Sequence, residues 1–258
     1  MKILCIDTAS DICGVSILED TNLLINLDNN TGRTHSENLM PMIKEAFDKT
    51  YLSLIDVELI VCDKGPGSFT GIRIGIACAK AFNDSLNIPC IGVSSLEALA
   101  YNILQSENSD NFDNLKNAKL VCSILDCKNN NCYFALYERK ENYFETLIEP
   151  QAENINATIA ILKNYIEDNF GDSSIVFVGD GSKVFQTQIK ENFKNAQIAK
   201  ENLNILNSYN LGVCGFKKFM DCSYIEEELL PLYLKKPQAQ RQLEEKMENG
   251  TIPISRKD

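Results

Sequence analysis

The sequence is poor in the residues on which metal and disulfide chemistry depends. It has a single histidine, His35, among 258 residues, so metal binding by a pair of histidines is excluded by composition. Its ten cysteines include no C-x-x-C pair, and Cys127 and Cys132, five residues apart, are as close as any two. We therefore expect free thiols that behave as small apolar residues, rather than a zinc site or a disulfide framework. Several cysteines lie in or beside apolar runs: Cys5, Cys62, Cys90, Cys122 and Cys214.

Positive charge and long apolar runs are also scarce. The net charge is −11 and there is no dense basic run, so this chain is a poor candidate for a main nucleic-acid-binding surface. No apolar stretch approaches the roughly 20 residues of a membrane span, and the N-terminus enters a strand pattern directly, without the features of a signal peptide. With 44% hydrophobic residues and only seven prolines, the composition predicts a folded, cytoplasmic protein with no membrane contact.

A glycine-rich run at residues 64–75, K-G-P-G-S-F-T-G-I-R-I-G, is the most distinctive local feature of the sequence. It follows an apolar strand pattern at 58–62 and leads into a helical pattern at 69–85. Glycine and proline predict a tight turn, and the serine that follows is a typical helix cap. Such a turn can present backbone N–H groups to a phosphate, although this signal alone is weak.

The chain shows a faint internal duplication. Residues 6–19 align without a gap on residues 125–138, at an offset of 119. The alignment pairs Asp7 with Asp126, and it also pairs Cys13 with Cys132 and Glu19 with Glu138. Each half later carries an apolar strand followed by G-x-G-S, at 65–68 and 179–182. A repeat of this length indicates a duplicated domain rather than a solenoid.

Each half has the pattern of three strands, a helix, a strand and a helix. Continuous apolar runs predict strands that are covered by helices on both faces, and hence an α/β fold of two duplicated β-β-β-α-β-α lobes. We place an N-terminal lobe at 1–105, which a helix at about 207–221 completes, and a C-terminal lobe at 106–206. A polar tail follows at 237–258. The predicted strands lie near 2–7, 12–18, 22–27, 58–62, 89–93, 119–125, 132–138, 143–148 and 174–178, and the remaining helices near 35–49, 69–85 and 155–168.

The motifs, in this order and spacing, resemble those of the TsaB family. The resemblance runs to about residue 241 and rests on the following segments: ILCIDTAS at 3–10, THSENLMP at 34–41, the glycine-rich run at 64–75, IGVSSLEALA at 91–100, GDG at 179–181 and PLYL at 231–234. It implies the actin/hexokinase-like (ASKHA) architecture. It also implies a non-catalytic subunit in the biosynthesis of threonylcarbamoyladenosine in tRNA.

In that role the chain would pair with a TsaD-type catalytic subunit and activate it, together with a TsaE-type ATPase. The complex transfers threonylcarbamoyl to N6 of the adenosine beside the anticodon. The resemblance further implies a homodimer when the chain is alone, contact with tRNA only through the complex, and no cofactor. The catalytic relative holds its metal with two histidines four residues apart. The corresponding positions here are Ser95 and Leu99, and neither residue replaces a histidine ligand.

The ASKHA fold binds nucleotide between its lobes, at the first β-turn of each lobe. The first lobe offers Asp7, Thr8 and Ser10, and the glycine-rich turn adds Gly65 and Gly67. In the second lobe Asp126 is followed by Cys127, Lys128 and three asparagines, which is a poor phosphate loop. We therefore interpret the first set as a vestigial phosphate-binding loop, with the alternative that Asp7 only caps a turn.

The helix after the glycine-rich turn carries a stripe of small residues with an apolar edge. Gly costs about 1 kcal/mol relative to Ala within a helix, so its recurrence suggests a packing reason. Two interpretations stay open: tight packing inside the lobe, or a subunit interface. The resemblance implies the interface, with TsaD or a second copy of the chain. The candidate residues are Gly71, Ile72, Gly75, Ile76 and Ala79 on this helix and Leu39, Met42 and Ile43 on the preceding one.

Two enzymatic alternatives accompany this interpretation. The first is a small kinase or ATPase that uses the cleft between the lobes. The second is a glycoprotease-like peptidase, for which no H-E-x-x-H, G-x-S-x-G or Cys/His signature is visible. His35, at the start of a helix, is either a surface residue, part of a partner surface or the base of such a hydrolase.

Overall fold

Two five-stranded sheets organise the chain in the computed structural model, which describes residues 1–30, 34–105, 118–221 and 228–235. The first lobe contains β1 (Lys2–Asp7), β2 (Cys13–Glu19), β3 (Asn22–Asn29), α1 (His35–Thr50), β4 (Leu59–Asp63), α2 (Phe69–Leu86), β5 (Cys90–Val93) and α3 (Ser95–Gln105). The second contains β6 (Leu120–Asp126), β7 (Asn131–Arg139), β8 (Phe144–Asn154), α4 (Ile155–Phe170), β9 (Ile175–Val178), α5 (Asp180–Val184), α6 (Gln186–Asn192) and β10 (Ala196–Ile198). The last helix is α7 (Ser208–Met220).

The strand order is the same in both sheets. It is β3-β2-β1-β4-β5 in the first and β8-β7-β6-β9-β10 in the second. In each sheet the first three strands are antiparallel. The fourth strand pairs in parallel with the first strand of the lobe, and the fifth pairs in parallel with the fourth. The prediction of a duplicated α/β fold is therefore confirmed.

The gapless alignment of the two halves fails at the first turn. Asp7 pairs with Gly14 across β1 and β2, whereas Asp126 pairs with Cys132 across β6 and β7. The turn is one residue shorter in the second lobe, so Cys132 corresponds to Gly14 and not to Cys13. Three consecutive left-handed residues, at 128–130, make the shorter turn possible.

The central strands of the first sheet form because their residues are apolar on both faces. In β1 and β4 almost every residue is buried, since helices cover the sheet on either side. The helix α2 starts where Ser68 accepts a hydrogen bond from the Gly71 N–H through its side-chain oxygen, at 3.1 Å. It ends at Asn87, which adopts the left-handed conformation.

Two helices join the lobes. The helix α7 packs on β1, β2 and β4 of the first sheet, and α3 packs between α7 and the second sheet. Tyr101 of α3 meets Phe144 of β8 edge to face, with 5.7 Å between ring centroids. The sequence analysis predicted α7 but not α3, which has only 11 residues and is almost entirely buried.

The proposed boundary at 106–117 and the tail at 237–258 lie outside the described residues, so the division into domains stays a prediction. All nine cysteines within the described ranges are free thiols, and six of them are buried. Among the described residues, no helix combines the length and the apolar character that a membrane crossing requires.

Candidate functional site

A cavity of about 600 Å³ opens between the two lobes. The β1–β2 turn and the glycine-rich turn form one wall, and the β6–β7 turn and the start of α5 form the other. The lining residues include Ser10, Asp11, Pro66, Gly67 and Ser68 from the first lobe and Asp126, Cys127, Lys128, Asn129, Tyr133 and Asp180 from the second. The cavity therefore lies where the ASKHA fold binds its nucleotide.

The two turns of the first wall are bound tightly to each other. The Ser68 N–H donates to the Ala9 carbonyl oxygen at 2.7 Å, and the Thr8 hydroxyl donates to the Gly71 carbonyl oxygen at 2.8 Å. A Cβ at Gly67 would lie 2.2 Å from the Ala9 oxygen, so only glycine allows this approach. Because the Ser68 N–H and the Gly71 N–H both have partners within the protein, this helix start has fewer donors to offer a phosphate.

The predicted phosphate-loop residues divide into two groups. Ser10 and Gly67 line the cavity. Asp7, Thr8 and Gly65 are buried beneath it instead, and Gly65 adopts a positive φ of 96° that favours glycine. The structure therefore brings two of the five residues to the cleft and uses the other three inside the lobe.

A pair of buried carboxyl groups, Asp7 and Asp63, lies under the glycine-rich turn. Asp63 Oδ1 accepts from the Gly65 N–H and from the Ser95 hydroxyl, both at 2.7 Å. Asp63 Oδ2 is buried without a hydrogen-bond donor among the described residues, and the buried carboxyl group of Asp7 is its titratable neighbour. The sequence analysis missed Asp63. A signal was present, because Asp63 ends β4, Asp7 ends β1, and these two strands are parallel neighbours.

Burial controls the protonation of this pair. It raises the pKa of Asp63 to about 7, against the opposing hydrogen bonds from Ser95, Gly65 and Asp7. It also raises the pKa of Asp7 well above its usual value, and the neighbouring Asp63 charge adds to the shift. Two carboxylates in contact in a low-dielectric interior cannot both be ionised cheaply, so the pair retains a proton near neutral pH.

The second wall of the cavity is acidic. Asp180 Oδ1 accepts the Asp126 N–H at 2.9 Å, so a carboxylate takes the backbone donor at this turn. The Lys128 ammonium lies 2.9 Å from the Asp126 carboxylate, and the pair neutralises itself. With Asp11 on the opposite wall, three carboxylates and the Lys128 ammonium line the cavity, and this net negative lining disfavours a polyphosphate.

Ser95 and Leu99, the positions that the resemblance aligns with the metal-binding histidines, carry other chemistry. The Ser95 hydroxyl is buried and donates to Asp63. Leu99 is fully buried, and its Cδ1 lies 3.2 Å from where a Cβ at Gly179 would be. Both side chains are therefore part of the packing between β4, α3 and the second lobe. Among the described residues, no group of three or more His, Cys, Asp and Glu side chains is arranged to hold a metal ion.

The predicted interface residues lie inside the first lobe. A Cβ at Gly71 would lie 1.9 Å from the Thr8 carbonyl oxygen, and one at Gly75 would lie 2.5 Å from the Thr8 hydroxyl. The small-residue stripe thus brings α2 close to the end of β1 of its own sheet. All eight residues are buried: Leu39, Met42, Ile43, Gly71, Ile72, Gly75, Ile76 and Ala79.

The neighbouring face of the same two helices is the one that reaches the surface. Met40 of α1 is 52% exposed, and its sulfur lies 3.8 Å from the Cys78 sulfur of α2. Ala77 is exposed and Ile74 is half-buried beside them. We call these four residues the α1–α2 seam. The seam residues are direct sequence neighbours of the predicted interface residues. A helical period shows that two faces of a helix differ, but it does not show which face is buried.

His35 ties α1 to the cavity wall. Its ring Nε2 donates to the Ser10 carbonyl oxygen at 2.7 Å, and its Nδ1 is buried without a partner among the described residues. His35 is therefore half-buried and hydrogen-bonded to the β1–β2 turn.

Comparisons with known proteins agree with this architecture. A family model described as TsaD, tRNA N6-adenosine threonylcarbamoyltransferase, matches residues 28–242. The tRNA threonylcarbamoyladenosine biosynthesis protein TsaB of Buchnera aphidicola subsp. Schizaphis graminum is 30% identical over 202 residues, which cover 78% of this chain and 88% of that protein. YeaZ from Pseudomonas aeruginosa has a TM-score of 0.70 at 20% identity, covering 90% and 99% of the two chains.

The superfamily fold appears in a more distant solved structure. The ROK hexokinase from Thermus thermophilus has a TM-score of 0.51 at 10% identity, covering 86% of this chain and all of that one. This likeness concerns the fold alone. The family match and the relative show that the chain, which has an actin-like ATPase fold, belongs to the TsaD family and, within it, to the TsaB/YeaZ-type proteins.

Proposed function

We propose that this chain is a non-catalytic subunit of a cytoplasmic tRNA threonylcarbamoyladenosine complex, where it binds, stabilises and activates a TsaD-type catalytic subunit. The observation that carries the proposal is the chemistry at Ser95 and Leu99. A hydroxyl bonded to Asp63 and a fully buried aliphatic side chain stand where the catalytic relative has its metal ligands. The name of the Buchnera relative supplies the process in which the subunit acts.

The cavity supports the same conclusion. Its carboxylates, Asp11, Asp126 and Asp180, and the backbone donors already paired within the protein make a poor ATP site. The position of the cavity favours the kinase or ATPase alternative, but the lining of the cavity does not. In the proposed complex a TsaE-type ATPase supplies nucleotide chemistry. A chain with a net charge of −11 reaches tRNA only through its partners.

We assign the contact with the TsaD-type subunit to the α1–α2 seam. Its exposed side chains are apolar or small, as in the centre of a protein interface. The buried glycine stripe contributes indirectly, because it fixes α2 against β1 and so sets the shape of the seam. When the chain is alone, the same seam pairs two copies.

The test is size-exclusion chromatography with light scattering on the full chain, alone and mixed with its cognate TsaD-type protein. Ala77→Arg introduces a long charged side chain at the seam and is expected to weaken the one-to-one heterocomplex by at least about tenfold. Ala157→Arg is the matched control, since it makes the same substitution at an exposed helical position of the second lobe. It should leave the complex intact.

Two results would count against the proposal. If Ala77→Arg and Ala157→Arg pair equally well with the partner, the seam is not the interface. If the wild-type chain forms no complex but binds ATP stoichiometrically by calorimetry, the kinase or ATPase alternative replaces the subunit role.

A further inference from the structure

The segment at residues 228–235, which we call the strap, follows α7 in the described chain and returns to the first lobe. Its Leu232 N–H donates to the Lys64 carbonyl oxygen at 2.7 Å, beside the glycine-rich turn. Leu229 is 6% exposed, and Glu228 forms an ion pair with Lys80 at 2.6 Å. The strap therefore has its own apolar, backbone and charge contacts with the first lobe.

An aromatic cluster fixes the middle of the strap on α2. The Tyr233 ring stacks on Phe69 with 4.6 Å between centroids, and the Tyr233 hydroxyl accepts from Arg73 Nε at 2.6 Å. The Arg73 guanidinium lies 3.9 Å from the centre of the Phe69 ring. Stacking and cation–π contacts together hold the strap at the N-terminal end of the helix.

The last described residue of the strap crosses to the second lobe. The Lys235 ammonium lies 2.8 Å from the Cys127 sulfur and 5.7 Å from the centre of the Tyr133 ring. Cys127 and Tyr133 line the second wall of the cavity, and Pro66 and Gly67, beside the strap's contact at Lys64, line the first. The strap therefore contacts both sides of the cleft: Leu232 binds Lys64 beside the first wall, and Lys235 binds Cys127 of the second wall.

Cys127 differs chemically from the other cysteines described. Burial raises the pKa of the Cys132 thiol to about 11 and that of Cys90 to about 12, which keeps both protonated. Cys127 is half-buried at the cavity and has an ammonium at hydrogen-bond distance. A neighbouring cation favours the thiolate, which is the nucleophilic form of cysteine.

We propose that the strap is a latch across the cleft and that Cys127 is its release site, open to low-molecular-weight disulfides. The Cys127 thiolate attacks one sulfur of the disulfide, a new S–S bond forms at Cys127, and the other half leaves as a thiolate. The reagent disulfide is the only oxidant in this step. The adduct removes the negative charge from the sulfur and occupies the position of the ammonium, so Lys235 loses its contact with Cys127.

Hydrogen–deuterium exchange of the full chain, followed by mass spectrometry, tests the latch. Lys235→Met and Cys127→Ala should each make the amides of residues 229–234 exchange about tenfold faster, because the charged contact that holds the end of the strap is gone. Lys235→Arg keeps the charge and should keep the protection. The matched control is Lys128→Met, which removes another ammonium of the same wall that pairs with Asp126 rather than with the strap.

Oxidised glutathione is the probe for the release site, used in a Cys222→Ser background because Cys222 lies outside the described residues. Peptide mapping should find one adduct, at Cys127, and the modified chain should show the same faster exchange at 229–234. Cys127→Ala should take up no glutathione and should not respond. Unchanged exchange in β1 and β6 shows that the fold is intact in each case.

Three outcomes would overturn the proposal. Equal strap exchange in Lys235→Met and Lys128→Met would show that the Cys127–Lys235 contact holds nothing. An adduct at Cys78 or Cys90 in preference to Cys127 would remove the release site. An adduct at Cys127 without faster exchange at 229–234 would separate the thiol from the latch.

Discussion

The two lobes share one strand order but use their first turns in opposite ways. In the first lobe the beginning of the turn after β1 is buried: Asp7 and Thr8 are buried, and the Ala9 carbonyl oxygen accepts from the Ser68 N–H of the glycine-rich turn. In the second lobe the turn after β6 lies at the surface, with Lys128, Asn129 and Asn130 exposed and left-handed. Equivalent turns therefore form a buried contact with a second turn in the first lobe, which we call the packing joint, and an exposed loop in the second lobe.

We propose that both turns are vestigial phosphate loops, and that the ability to bind phosphate was lost by a different route in each lobe. In the first lobe the donors remain but are paired within the protein, so the loop now positions α1 and α2. In the second lobe Asp180 takes the Asp126 N–H, and charge replaces the hydroxyl residues of a phosphate loop. Substitutions at the first-lobe turn should therefore lower the free energy of unfolding strongly, whereas substitutions at the second-lobe turn should change it little.

The largest expected effect is that of Gly71→Ala. Its Cβ would lie 1.9 Å from the Thr8 carbonyl oxygen, a backbone atom that cannot move without separating α2 from β1. We expect the free energy of unfolding to fall by about 4 kcal/mol, measured by urea denaturation. Gly75→Arg should unfold the chain for the same reason, since the stripe is core.

The equivalent glycines of the two lobes provide the control for this comparison. A Cβ at Gly67 would lie 2.2 Å from the Ala9 oxygen, and a Cβ at Gly181, its counterpart in the second lobe, would lie 2.9 Å from the Ile124 oxygen. Gly181→Ala should therefore cost only about 1–2 kcal/mol. Equal losses for Gly67→Ala and Gly181→Ala would contradict the view that the first turn alone is a packing joint.

A second, smaller effect concerns pH and the buried pair of the first lobe. The pKa of Asp63 is about 7 in the folded chain, against an ordinary value of 3.8. Between these values the folded chain binds more protons than the unfolded chain, so the pair's contribution to stability is full at low pH and is lost as pH rises toward 7. The slope is about 1.4 kcal/mol per pH unit for one proton.

Asp7→Asn should flatten this slope. The amide keeps an oxygen acceptor for the Ala9 N–H and offers Asp63 Oδ2 a donor that does not titrate. Stability at pH 8 should rise by about 1–2 kcal/mol and change little at pH 4, as measured by urea denaturation at both values. Asp180→Asn, at the second wall, should shift stability by less than about 0.5 kcal/mol at either pH. An unchanged slope in Asp7→Asn would show that the pair does not titrate together.

The sequence analysis predicted the long strands and helices because their apolar residues follow the pattern of a buried strand or the period of an amphipathic helix. Strands near 2–7 and 58–62 and helices near 35–49, 69–85 and 207–221 agree with the structure within a few residues. The helix α3 and the short elements α5, α6 and β10 were missed. The helix α3 has only 11 residues and is buried between the lobes, and the others are too short to show a period.

The candidate site was predictable in position but not in detail. The turn motifs at 7–10 and 65–68 do lie at the cleft, yet only Ser10 and Gly67 among the predicted residues reach the cavity. A helical period shows that two faces differ, and the presence of the sheet decides which one is buried. Asp63 and Lys235 were missed for a related reason, since their partners, Asp7 and Cys127, are distant in sequence and only the fold brings them together.

The smallest effect is expected in the second lobe, at Lys128. Its φ of 68° is left-handed, a conformation that costs a side-chain-bearing residue about 1–2 kcal/mol and glycine almost nothing, while none of residues 8–12 in the first turn has a positive φ. Glycine also increases the conformational entropy of the unfolded chain, which offsets part of the stabilisation gained by removing the strain. The exposed Lys128–Asp126 ion pair contributes little to the free energy of unfolding. We expect Lys128→Gly to stabilise the chain by about 0.5 kcal/mol in urea denaturation, and Lys128→Ala, which loses the same ion pair but keeps a Cβ, to lie about 1 kcal/mol below it. If the two variants unfold at the same urea concentration, the exposed turn stores no backbone strain, and the contrast between the lobes reduces to burial alone.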